Sequence, residues 1–120
     1  GMPFAPKFLV RLNNVVKRIN PDVLHTHYPL PLYPEAATLV ARWNDIPLVI
    51  TAHGALEMGI KSPIAAFGAV YNRSLLHFSL RSADAIHVSN RHIPEKISVY
   101  QQYKQKIESI PMGVDIEWFD

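Results

Sequence analysis

Residues 48–54 read Leu-Val-Ile-Thr-Ala-His-Gly (LVITAHG), a short run rich in β-branched residues, apolar toward both sides and closed by His53-Gly54. A run of this length with no polar face predicts a strand covered above and below, as in the interior of a parallel sheet. Upstream, Glu35 to Asn44 carries Ala36, Leu39, Val40 and Trp43 on one helical stripe that stops before Pro47. Before it, Asp22 to Thr26 is a second short apolar run, bounded by Pro21 and by the cluster Pro29, Pro31 and Pro34. Ahead of that strand, Pro6 opens a helix in which Phe8, Leu12, Val15, Val16 and Ile19 recur at helical spacing until Asn20-Pro21. Downstream, Pro63 to about Ser82 predicts one long helix, weakest at Gly68. Ala85 to Val88 then predicts a third strand, Ile93 to Tyr103 a fourth helix and Ile107 to Ile110 a fourth strand, ended by Pro111 and Gly113. The order αβαβαβαβ predicts an α/β fold, a parallel sheet of about four strands with helices on both faces, joined by right-handed crossovers.

Composition bounds the chemistry. The chain has 120 residues, 48% of them apolar and 18% charged, enough for one core and unlike a disordered chain. Twelve Lys and Arg against ten Asp and Glu leave a formal charge of +2, too small a surplus to argue for nucleic acid as a partner. The absence of cysteine excludes disulfides, thiolate metal sites and cysteine nucleophiles. No stretch approaches the roughly 18 consecutive apolar residues of a membrane span, and the start lacks a signal-peptide pattern, so a cytoplasmic chain is expected. Gly1 ahead of Met2 reads as a remnant of tag cleavage. Lys7, Arg11, Lys17 and Arg18 lie on the first helix with no acid before Asp22. The ordinary reading is a solvated basic face, and the alternative is peripheral contact with an anionic membrane surface.

In an open parallel sheet, ligands bind beyond the carboxyl ends of the strands. Those ends are His25-Thr26-His27-Tyr28, His53-Gly54-Ala55, Ser89-Asn90-Arg91 and Met112-Gly113-Val114-Asp115. His53 is the leading candidate, an imidazole beside a glycine at a strand end, able to donate or accept near neutral pH. Its bland alternative is a strand cap. His25 and His27, two apart, share one face of an extended strand; His25 is expected to pack beneath a helix, while His27 reads equally as a structural residue or as a ligand contact. The same pair with His53 could hold zinc, but Glu35 is the one carboxylate near the prolyl loop, so no metal is expected. His77, His87 and His92 show no converging set and read as structural or surface residues. Ser89-Asn90 suits a helix N-cap, which could also receive an anion, and Arg91 beside it faces solvent or a ligand phosphate. Glu57, Met58, Gly59, Lys61 and Ser62 compose a loop that could serve as a lid. No Gly-rich phosphate cradle occurs.

Four segments taken in order, PDVLHTHYPLP, IPLVITAHG, LRSADAIHVSN and KIESIPMGVDIEWF, resemble the amino-terminal domain of family 4 retaining glycosyltransferases and span residues 21 to 119. The resemblance implies a GT-B architecture of two Rossmann-like domains with the active site between them, this chain being the later half of the first. By that likeness His53 resembles the histidine facing the transferred sugar. His27 and the prolyl loop after it resemble the acceptor-side wall. Tyr28, Gly54, Ser89 and Arg91, at the same strand ends, are further candidate substrate contacts. Gly113 and Asp115 resemble the hinge, where Met112 stands in place of the common Asn. The resemblance further implies a nucleotide sugar and an acceptor as partners, no cofactor, and a donor-binding carboxy-terminal domain outside this sequence.

The expectation is therefore a piece of a hexosyltransferase, inactive by itself, whose uncovered first-strand edge favours a homo-oligomer. The rival from another class is a noncatalytic sugar- or nucleotide-binding module. A histidine-based metallohydrolase is the third reading.

Overall fold

A computed structural model of the chain describes residues 6–30, 32–53, 63–92, 94, 98–113 and 116–119. Helix α1 (Pro6–Ile19) follows the apolar stripe and ends where Asn20 takes a positive φ of 46° and returns its N–H to the Val16 carbonyl at 2.8 Å. Lys17 and Arg18 in its last turn complement the helix dipole. Strand β1 (Leu24–Tyr28) begins two residues later than the sequence predicts. Helix α2 (Tyr33–Asn44) closes on Asp45 at φ 53°, with Ile46 N–H bonding the Ala41 carbonyl at 2.9 Å, a left-handed cap that Pro47 keeps from extending. Strands β2 (Leu48–Ala52) and β3 (Ala85–Val88) match their predicted bounds.

The single long helix expected over 63–82 is two helices, α3 (Pro63–Arg73) and α4 (Leu75–Ser82). The break falls at Ser74 rather than near Gly68. Ser74 leaves helical geometry (φ −122°, ψ −76°), and its hydroxyl donates to the Val70 carbonyl at 2.6 Å, the backbone competition that makes serine a poor interior residue. The change of direction lets Tyr71 of α3 and Leu76 and Leu80 of α4 enter the same core. Of the predicted fourth helix, residues 93 and 95–97 lie outside the described residues. Helix α5 covers Ser98–Gln101, and a 3-10 turn at Lys104–Lys106 leads straight into β4 (Ile107–Ser109). A second 3-10 turn covers Ile116–Phe119.

The four strands form one parallel sheet in the order β1-β2-β3-β4, with His27 opposite Thr51 and Thr51 opposite His87. Because each strand is added beside its predecessor through crossovers of one hand, the connecting helices collect on one face. On that face Leu48, Ile50, Ala52, Ile86 and Val88 pack against Ala37, Ala41, Tyr71, Leu76, Leu80 and Tyr100. The sequence anticipates helices on both faces. Among the described residues the second face is open instead: His25, His27 and Glu108 are exposed, Val49, Ala85 and His87 half-buried, and Thr51 alone buried. Helix α1 rests on α2, with Val16 buried, Asn44 Nδ2 donating to Asn13 Oδ1 at 2.8 Å and Phe8 edge-on to Tyr33.

Candidate functional site

The open face places four histidines in a row. Strand alternation puts His25 and His27 on it from β1, Thr51 from β2 and His87 from β3. His53 follows the last residue of β2, and its N–H donates to the Tyr28 carbonyl at 3.1 Å, one step beyond the β1–β2 ladder. This bond holds its exposed ring beside His27. The Nδ1 of His27 and the Nε2 of His53 are 3.0 Å apart, and the rings stack with centroids at 5.3 Å. The His25 ring stands 4.7 Å from that of His27.

Hydrogen-bond direction along the rest of the row follows from its end. The Ile110 carbonyl can only accept, so His87 Nε2–H donates to it at 2.9 Å. In the neutral ring Nδ1 of His87 then accepts the Thr51 hydroxyl at 3.1 Å, and Thr51 Oγ1 accepts His25 Nε2–H at 2.6 Å. Burial against the sheet, and then the charges of His27 and His87, hold the His25 imidazole below its ordinary pKa. His25 is therefore not packed beneath a helix, as the sequence suggested, because the helices occupy the opposite face. His87, which the sequence gave no partner set, joins this row through Thr51. Neither Thr51 nor the pairing of His25 with His87 is visible before the strand register is known.

The other candidates are dispersed. Tyr28, a candidate substrate contact, lies in the core on the helix side, 1% exposed and stacked on Tyr71, on the face opposite His25 and His27. Ser89 is half-buried after β3, and Asn90 Oδ1 accepts the His92 N–H at 2.9 Å, the capping geometry foreseen for this segment. Arg91 is exposed and lines a concavity of about 430 Å³ with Pro94, Lys104, Ile107 and Ser109, none of which belongs to the histidine row. Gly113 is exposed, with open space where a Cβ would stand. Gly54, Asp115 and the candidate lid at Glu57, Met58, Gly59, Lys61 and Ser62 lie outside the described residues. Glu35 is buried on the helix side, where Tyr71 Oη and Ser79 Oγ donate to its Oε1 at 2.8 and 3.0 Å. It lies on the face opposite the histidines, and among the described residues no three His, Asp or Glu side chains are placed to hold one metal ion. His77 is tied to the Tyr103 hydroxyl at 2.7 Å, a structural role as expected.

A four-stranded parallel α/β sheet joined by crossover helices defines the class as Rossmann-like. A family model, Glycosyltransferase Family 4, matches residues 1–118. The chain belongs to glycosyltransferase family 4. No curated protein matches it.

Proposed function

We propose that this chain is the later half of the amino-terminal domain of a GT-B enzyme that transfers a hexose from a nucleotide sugar to an acceptor with retention of configuration. The observation that carries this reading is the exposed His53 ring at the carboxyl end of an interior parallel strand, hydrogen-bonded to His27. Departure of a nucleoside diphosphate calls for hydrogen-bond donors and sugar-hydroxyl contacts placed in advance more than for a strong base, and two neighbouring imidazoles suit that demand. The phosphate contacts would come chiefly from a carboxy-terminal domain facing this edge of the sheet, so little turnover is expected from residues 1–120 alone.

The test is a transfer assay on the protein encoded by the complete reading frame, with the anomeric configuration of the product read by NMR. His53→Ala is expected to lower transfer by about a hundredfold. Binding of nucleotide sugar without transfer would favour a noncatalytic module, and normal transfer by residues 1–120 alone would refute the shared-cleft reading.

One partner reading accompanies it. No described helix is long and apolar enough to cross a membrane, yet α1 exposes Val10 and Ile19 beside its basic residues, which suits peripheral contact with an anionic lipid surface on the cytoplasmic side. Loss of vesicle binding when Lys7, Arg11, Lys17 and Arg18 are changed to Gln together is the expected result.

A further inference from the structure

The His27–His53 contact determines which nitrogen of His53 is left for a ligand. Nε2 is taken up by His27 Nδ1 at 3.0 Å, and only one hydrogen can lie between two nitrogens at that distance. The nitrogen of His53 left over by this contact is Nδ1. If the pair carries one proton beyond its neutral state, three hydrogens are shared among four nitrogens and the single bare nitrogen lies within the shared bond. His53 Nδ1 then bears a hydrogen whichever ring formally holds the charge.

We propose that His27 is a positioning residue: by engaging Nε2 it leaves Nδ1 of His53 as the ring nitrogen available to a ligand oxygen, and in the singly protonated pair that nitrogen is a donor, to either a sugar hydroxyl or a phosphate oxygen. The ligand class rests on the glycosyltransferase reading, but the geometry of the pair does not. His27 is itself held in place. Its ring is flanked by His25, whose own Nε2 is anchored through Thr51 and His87 to the Ile110 carbonyl. Among the described residues, the other titratable groups on this face are His25 on β1, His87 on β3 and Glu108 on β4, opposite His87 in register.

The test is spectroscopic and independent of turnover. The 120-residue chain, with ¹⁵N in its histidine rings, is titrated from about pH 8 to 5, across the range in which imidazoles gain protons. As the pair takes up its first proton, Nδ1 of His53 is expected to reach the shift of a fully protonated nitrogen. Nε2 of His53 and Nδ1 of His27 are expected to stay intermediate, because they share one hydrogen. His27→Ala should bring Nε2 of His53 to a fully protonated shift in the same titration. His27→Asn, whose amide oxygen can accept from Nε2 but has no proton to share, should give the same fully protonated Nε2 as His27→Ala. Two rings that each gain both hydrogens independently in the unaltered chain would overturn the proposal, as would an unchanged His53 signal in His27→Ala. If the ring signature holds but the complete protein transfers no sugar, the glycosyltransfer reading fails while the positioning stands. Transfer without the ring signature is the converse.

Discussion

Tyr71 donates its hydroxyl hydrogen to a Glu35 carboxylate that is 7% exposed, and the other carboxylate oxygen, Oε2, is buried without a partner among the described residues. Half of this side chain is therefore satisfied by two donors, Tyr71 and Ser79, and neither can be removed cheaply. Tyr71→Phe is expected to cost about 1–3 kcal/mol in a urea melt, since a hydrogen bond to a charged group is lost and the acceptor stays buried. Burial first, and then the neighbouring Glu35, push the Tyr71 hydroxyl well above its ordinary pKa; burial and Tyr28 do the same for Tyr100. An unfolded tyrosine loses its proton near pH 10, and these two hold theirs to higher pH when folded. Their contribution to stability is thus complete below about pH 10 and lost above it, and Tyr71→Phe should flatten that alkaline decline. His25 has the opposite sign. Its folded pKa is lowered, so the unfolded chain binds the proton first and stability falls as pH drops below about 6.5. His25→Gln, which keeps a donor in place of Nε2, should remove part of this acid loss while preserving the bond to Thr51.

At the scale of elements, β2 carries both halves of the molecule's chemistry. Its Leu48, Ile50 and Ala52 face the helices, and Thr51 faces the histidines. Thr51→Val keeps the β-branched shape and deletes the hydroxyl that bridges His25 and His87. A loss of about 1–2 kcal/mol is expected, together with release of both rings, read as faster imidazole N–H exchange with solvent. On the other face, Leu80 of α4 is fully buried, and Leu80→Ala should cost about 2–5 kcal/mol by leaving a cavity against Ile86 and its neighbours in the core. These elements were legible to different degrees. The bounds of α1, β2 and β3 follow from apolar period and proline stops. The break at Ser74 does not, because 63–82 keeps an apolar helical period throughout and the kink answers the need of Tyr71, Leu76 and Leu80 to share one core.

At the scale of the molecule, β1 is an edge strand whose Val23 flank is exposed. An uncovered parallel edge offers unpaired backbone groups to a second copy or to an upstream strand. The chain is expected to self-associate with rising concentration, as measured by light scattering. A monodisperse monomer at high concentration would show that this edge is blunted in another way. The exposure of the second face among the described residues has the same origin as the ordered sheet. Strands that follow one another in sequence leave all their crossover helices on one side.

The apolar period, the prolines and the absence of cysteine were sufficient to determine a parallel α/β chain, the strand ends that carry polar residues, and His53 among them. Local pattern suffices for these because each depends on neighbours a few residues apart in the chain. The side of the sheet on which His25 lies, the burial of Tyr28 in the core and the joining of His87 to Thr51 were decided by tertiary structure alone. Each depends on register and crossover hand, which relate residues such as His25 and Thr51 that are 26 positions apart, and no local pattern encodes such a pairing.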